Sequence, residues 1–290
     1  MLRIRFVSAV SRLCHDTSAM KRRSPPLALL LLASLFLIPQ LWLVSLALRS
    51  GAAVYEFPPR ILPAHPTLEN LAFVFAKTQV PMYLWNSAKL AFLAMAATLL
   101  VGVPAAFVLS RERFKGQGAV RNGLLVVQMV SPLVLLVPIY TVITALGLLD
   151  THAGLALTYC ALQLPFTIAV LAGFFDALPN ALFEAARLDG ASRMRTLTQV
   201  ALPILGPGLA ATAIFNLAAY WSEFGLALVL LDSQQRYTVP VGLFALQSGY
   251  ETEWQLVSAA ALVGILPVMI MFVFLQRYFV SGLTAGAVKG

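Results

Sequence analysis

Charge is what this sequence has least of. Asp, Glu, Lys and Arg make up 11% of its 290 residues, where a soluble domain carries about 25%. Cysteine is nearly absent. Cys14 and Cys160 are far apart and one lies in an apolar run, which excludes a disulfide framework and a zinc ribbon. The three histidines, His15, His65 and His152, are isolated. They lack ligand spacing and read as loop or surface residues, so no metal site is expected. No segment reads G-x-x-x-x-G-K followed by Ser or Thr, so the chain does not cradle phosphates by that route. No apolar run contains a histidine or paired carboxylates. An intramembrane enzyme needs a nucleophile and base, or metal ligands, inside the bilayer, so no catalytic residues are expected. The net charge of +8 does not indicate nucleic acid, because the basic residues sit beside apolar stretches rather than along one aromatic-laced face.

What the sequence has in excess is hydrocarbon. It is 60% hydrophobic with a mean hydropathy of +0.84, and the bilayer is the solvent this composition suits. A hydrocarbon core about 30 Å thick needs roughly 20 helical residues. Six stretches qualify, at about 25–48, 90–110, 122–146, 153–175, 204–231 and 255–276. Prolines inside them do not veto helix, since neighbouring helices can satisfy the freed carbonyls. Ser24 to Leu48 is 25 residues without a charge. A cleavable secretory signal has an apolar core of only about 7–15 residues, so an uncleaved span is expected there. The preceding "KRRS" reads as a topology determinant rather than a twin-arginine address.

Lys and Arg set the orientation. Segments 1–24, 111–121, 176–203 and 277–290 hold fifteen of them, against five in 49–89, 147–152 and 232–254. The positive-inside bias places both ends in the cytoplasm. The expected organisation is a cytoplasmic segment 1–24, a first span 25–48, an external loop 49–89, a core domain 90–279 with a cytoplasmic loop 176–203, and a cytoplasmic tail 280–290. The external loop is turn-rich at first ("FPPRILPAHP"), and Thr67 is placed to cap a short helix beginning "LENLAFVF".

One polar interruption stands out, "EAARLDGASRMRTLTQVALP", Glu184 to Pro203. Pro179 suits a first helical turn. Ala181, Leu182, Ala185, Ala186 and Leu188 follow at helical spacing. Gly190 can take the left-handed conformation that ends a helix, and Ser192 can cap a second helix running to Pro203. The segment reads as helix, glycine turn, helix on the cytoplasmic side. Spacing alone leaves open whether it rests on the membrane surface or offers its alanine face to another protein, with Glu184 and Arg187 as charge partners.

Glu184-Ala185-Ala186, three residues, Gly190, nine residues, Val200, one residue, then Leu202-Pro203 resembles the loop of membrane subunits in binding-protein-dependent ABC importers, with Val200 where isoleucine is usual. Asn86 to Gly116 resembles the first core helix of these permeases and its exit. "YWSEFGLALVL", Tyr220 to Leu230, resembles the stretch after the coupling loop. "QRYFVSGLTAGAVKG", Gln276 to Gly290, is similar to the C-terminus of the shorter permease partner in the maltose-type carbohydrate branch. The likeness covers about 70–290 and is weaker over 1–69.

The resemblance implies an all-α polytopic protein of six transmembrane helices with type I ABC importer permease architecture, in a prokaryotic inner membrane. It implies a second homologous permease, two ATP-binding subunits carrying ATP and Mg, an extracytoplasmic solute-binding protein and surrounding lipid as partners. This chain itself would bind no cofactor and no nucleic acid. By carry-over the coupling residues are Glu184, Ala185, Ala186, Asp189, Gly190, Leu202 and Pro203. Glu184 would meet a basic residue of the ATPase, Ala185 and Ala186 would fill its cleft, and Gly190 would set the turn.

Glu223 is the one acid well inside a spanning run. Counted from Pro207 it lies about 24 Å along the helix, in the outer half of the bilayer. Intramembrane acids usually face a cavity or partner. Tyr220, Trp221, Glu223 and Phe224 are therefore candidates for the substrate pathway, the rings as a platform for a sugar and the carboxylate as acceptor for its hydroxyls. The alternative places Tyr220 and Trp221 as interface anchors with Glu223 at headgroup level. A permease for a non-sugar solute, or an ion-coupled secondary transporter, which wants several buried acids, are the competing functions.

Overall fold

The computed structural model describes the backbone of residues 27–58, 60–247 and 252–287. The expected cytoplasmic segment 1–24 lies outside the described residues. Helix α1 spans Leu27–Ala47. A short α2, Glu69–Lys77, lies within the expected external loop 49–89. The N-cap is Leu68 rather than the expected Thr67, which stands one residue earlier and accepts from the Glu69 amide at 3.1 Å through Oγ1. Asn70 reaches back instead, donating to the Ala47 and Arg49 carbonyls at 2.8 and 2.6 Å and tying α2 to the end of α1.

The core begins with α3, Val80–Arg111, a 32-residue helix that starts ten residues before the expected span. At 1.5 Å per residue it is about 48 Å long and protrudes beyond a 30 Å hydrocarbon core. Its main packing partner is α6, His152–Asp176. Between them lie α4, Gln117–Gln128, and α5, Leu136–Ala145. Together α4 and α5 occupy the expected span 122–146, but the helix breaks at 129–135. The coupling loop carries α7, Asn180–Leu188. Helix α8, Gly206–Ser222, and a short α9, Gly225–Leu230, fill the fifth span with a second break at Glu223-Phe224. Helix α10 is Val239–Gln247. Helix α11, Trp254–Ala287, is continuous through most of the expected tail.

Among the described residues three helices are long and apolar enough to cross a membrane unbroken: α3, α6 and the Trp254–Val273 part of α11. The segment Arg193–Ile204 and α8 meet at an 83° bend. The expected continuous helix from 204 therefore begins with a corner at Leu205, where Pro207 removes a donor just after the turn.

Packing is organised in three buried clusters. One joins Leu90, Ala91 and Ala94 of α3 to Leu155, Ala156 and Tyr159 of α6, Leu217 and Tyr220 of α8 and Leu226 of α9. The second, at the opposite ends of α3 and α6, joins Val103, Ala106 and Phe107 to Ile168, Leu171, Ala172 and Phe175, and adds Phe183, Leu197 and Leu205 from the loop 176–203 and its exit. The third packs Ala47, Val74, Tyr83 and Trp221 against Ala259, Ala260 and Val263 of α11. Alanines at these crossings let helix backbones approach, which is how helices associate when lipid is as apolar as leucine. Gly242 makes the same point at one atom: a Cβ there would sit 2.1 Å from Cδ2 of Tyr83.

Candidate functional site

The coupling loop is built locally and then fastened to the bundle. Pro179 holds extended backbone at φ −61°, ψ 136° and precedes the first residue of α7. At the other end Gly190 adopts φ +73°. Its amide donates to the Arg187 carbonyl at 3.0 Å, and the Ala191 amide reaches back to the Ala186 carbonyl at 2.9 Å. This is the paired bonding of a Schellman turn, which satisfies the last carbonyls of a helix and needs a left-handed residue. Ser192 Oγ then accepts from the Arg195 amide at 3.3 Å. The second helix continues through Arg193–Arg195, a π-helical stretch Thr196–Ala201 and Leu202–Ile204.

The two faces of α7 differ sharply. Phe183 and Ala186 are buried, and Phe183 belongs to the second cluster. Glu184, Ala185, Arg187 and Asp189 are exposed, and Leu188 is 89% exposed. The carried-over pair of alanines is thus divided, Ala185 outward and Ala186 inward, because 100° per residue puts Ala186 beside Phe183. The outward apolar knob is Leu188, which lies four residues after Glu184 and three after Ala185 on the same face. Leu202 packs against the second cluster, and Pro203 is exposed in the last short turn.

Charge holds the loop in place. Glu112 Oε1 lies 3.2 Å from Arg193 Nε and 3.9 Å from Arg187 Nη2. Asp176 accepts from Ser110 Oγ at 2.5 Å and pairs with Arg121 at 2.7 Å, joining α3, α4 and α6. Arg111 donates to the carbonyls of Phe175 and Leu178 and to Asn180 Oδ1. Sequence reasoning missed Arg111, Glu112 and Asp176 as a group, since nothing local marks them as neighbours of the loop.

The second candidate group lies around the break at Glu223. Tyr220 is buried, its hydroxyl 2.7 Å from Thr98 Oγ1 and its ring stacked on Tyr159 at 5.3 Å and 3°. Tyr159 donates to Glu223 Oε2 at 2.7 Å. Glu223 also accepts from the amides of Leu226 and Ala227 at 2.7 and 3.1 Å. The carboxylate therefore caps α9 and meets its dipole. Trp221 turns the other way, donating to the Gly264 carbonyl at 3.1 Å. Phe224 packs edge-on against Phe244 at 5.4 Å. The structure thus joins Tyr220 to Glu223 through Tyr159 and separates both from Trp221 and Phe224. Tyr159 was absent from the sequence-derived set, because it lies 64 residues from its partner.

The break at 129–135 differs from the one at Glu223. The Val134, Leu135 and Leu136 amides each bond three residues back, but the carbonyls of Met129 and Val130 accept no hydrogen bond among the described residues. Met129 is 85% exposed and Val134 72%. A Cβ on Gly225 would lie 3.7 Å from Leu133 Cδ2, so the two breaks are side by side.

Residues 98–285 match the family model for the inner membrane component of binding-protein-dependent transport systems. The chain belongs to this family. Similar relatives include the sulfoquinovosyl glycerol transport system permease protein of Agrobacterium fabrum, 35% identical over 254 residues that cover 88% of this chain and 89% of that one. The trehalose/maltose transport system permease protein of Thermococcus litoralis is 34% identical, covering 90% and 94% of the two chains. An inner membrane ABC transporter permease protein of Escherichia coli is 34% identical, covering 91% and 94%. Among solved structures, a chain of a bacterial ABC transporter that imports the acidic polysaccharide alginate superposes with a TM-score of 0.75 at 22% identity, covering 93% of this chain and 98% of that one. The permease fold expected from the coupling loop is therefore the fold the chain has.

Proposed function

We propose that this permease is one of two homologous membrane subunits of an ATP-driven, binding-protein-dependent importer for a sugar or oligosaccharide. Helix α7 seats in a cleft on a separate ATPase on the cytoplasmic side, and an extracytoplasmic solute-binding protein delivers solute from outside. The observation that carries this is the outward face of α7: Glu184, Ala185, Leu188 and Asp189 exposed on a nine-residue helix whose end is locked at Gly190. An 89% exposed leucine flanked by acids on the basic side of a membrane protein suits a protein cleft. Nothing in this loop binds nucleotide, so the work comes from a partner. Both termini in the cytoplasm, two ATPase subunits and a second permease complete the reading.

The break at 129–135 supports a polar passage along this chain. Helix α4 is about 18 Å long and α5 about 15 Å, which puts the break near the bilayer midplane. Exposed backbone without partners does not face lipid; it is tolerated only against protein or a water-filled cavity. The carbohydrate class rests on the relatives, whose names specify trehalose/maltose and sulfoquinovosyl glycerol. A permease for a non-sugar solute is the alternative within the same mechanism. An ion-coupled secondary transporter is disfavoured because Glu223, the intramembrane acid, is engaged by three donors.

The test is Glu184→Lys in the assembled importer. Reversing that charge is expected to abolish co-purification with the ATPase or reduce uptake at least tenfold. Full uptake by this variant would sink the docking role. Uptake of labelled trehalose, maltose and an amino acid by the unmodified complex separates the sugar reading from its alternative.

A further inference from the structure

We propose that Arg111 is the joint through which motion of the coupling helix α7 is passed to the membrane-spanning pair α3–α6, a positioning residue for transport that makes no contact with nucleotide or solute. The inference rests on the docking of α7 just described. Arg111 is the last residue of α3. One nitrogen, Nη2, donates to the Phe175 carbonyl and, at 2.8 Å, to the Leu178 carbonyl. The other, Nη1, donates to Asn180 Oδ1 at 2.6 Å. Its guanidinium carbon stands 4.2 Å over the Phe183 ring. One side chain therefore grips the end of α6, the first residue of α7 and the buried ring of α7, from the end of α3.

This grip matters because the covalent route into and out of α7 is soft. Upstream, α7 joins α6 through three residues, Ala177 to Pro179, with extended backbone at Pro179. Downstream come a left-handed glycine, a π-helical stretch and an 83° bend. π-helical turns and corners are where helices yield. A push on the outward face of α7 would be absorbed at these joints unless a side chain bypassed them. Phe183 supplies part of the bypass, its ring 6.2 Å from that of Phe107 on α3. The Glu112–Arg187 pair adds an ion pair at 3.9 Å to an exposed arginine, and Arg111 adds directional bonds that neither a sliding aromatic contact nor that long pair supplies. The planar fork of arginine serves here because it meets two carbonyls, an amide oxygen and a ring face at once, a set that the point charge of lysine cannot reproduce. The Arg111 Nε is buried without a partner among the described residues.

The experiment uses the complete importer in proteoliposomes, with Cys14 and Cys160 replaced by serine. A spin label is placed either at Leu188→Cys, on the outward face of α7, or at Trp85→Cys, an exposed position near the outer end of α3. Trapping with MgATP and vanadate is expected to change both spectra in the otherwise unmodified complex. In Arg111→Gln the response at 188 is expected to persist within twofold while the response at 85 falls at least threefold. Arg111→Lys should fall between. Should Arg111→Gln fail to assemble, Asn180→Ala removes the α7 end of the grip and leaves Arg111 in place, and the same split in the two responses is expected. Equal retention of both responses in both variants, or equal loss of both, overturns the proposal. If trapping moves neither label before any grip residue is changed, the docking of α7 itself is wrong, and that result is separate from the fate of Arg111.

Discussion

Replacing Gly190 by alanine tests the coupling turn at a position where sterics and backbone strain can be told apart. Gly190 holds φ +73°, and a Cβ added there would meet nothing within 4 Å. Crowding therefore costs nothing, and the whole penalty comes from the left-handed backbone, roughly 1–2 kcal/mol for a residue with a Cβ. That energy is a factor of about 5 to 30 in the population of the closed turn. If the ATPase recognises only the α7 end shaped by that turn, apparent affinity falls by the fraction that remains competent. The expected result for Gly190→Ala is thus a weaker association of the purified permease complex with its ATPase, by up to about thirtyfold, the limit reached when the open turn becomes the main form, read by titration in detergent. Asparagine visits the left-handed region far more readily than alanine, so Gly190→Asn should recover most of the loss despite being larger. Asparagine as damaging as alanine, or alanine without effect, would refute the assignment of the turn as the shape-determining element.

The remaining predictions concern the loops around Asp150 and Asp232 and the break at Glu223. Asp150 sits at φ 54° and accepts from the Asp232 and Ser233 amides, the Ser233 hydroxyl and Arg236. Burial pushes its carboxyl up, but the Ser233 hydroxyl and amide, the Asp232 amide and the Arg236 charge outweigh burial and hold it below the ordinary value. A depressed carboxylate contributes stability that is fully present above the unfolded value, about 3.9, and is lost as pH falls through the folded one. Protease protection of the loop at 231–238 is therefore expected to be flat from pH 7 to 5 and to fall in stronger acid. Asp150→Asn, which tolerates the same backbone, should remove that pH dependence and lower protection at pH 7. For Glu223→Gln, loss of a charged cap costs about 0.5–2 kcal/mol of stability, seen as a lower midpoint of thermal unfolding. The half-saturating solute concentration for uptake should stay within twofold, whereas a carboxylate that binds solute directly would raise it at least tenfold.

The coupling turn was legible because each of its devices is local. Gly190 and Ser192 act on their own backbone within four residues, and the structure holds both in the role their chemistry suggests; Pro179, expected in the first turn, stands one residue earlier, at the N-cap with extended backbone. The hydrophobic runs were equally plain, since roughly 20 apolar residues have few fates other than a membrane helix. Breaks within them were not legible. Pro132 interrupts α4 from α5, while Pro104 and Pro165 are carried inside α3 and α6 without a break. A proline allows a break without requiring one, and the neighbours that can replace the lost bond decide.

Sequence alone determined that the chain suits a bilayer and where its polar elbow turns, because hydropathy and glycine chemistry act without reference to distant residues. Tertiary structure decided which face of α7 looks outward, that Glu223 is occupied by Tyr159 and two amides, and that Arg111 reaches the elbow. Tyr159 stands 64 residues from Glu223, and the partners of Arg111 stand 64 to 69 residues from it along the chain. Only the packing of α3 against α6 and α8 brings them within a hydrogen bond of one another.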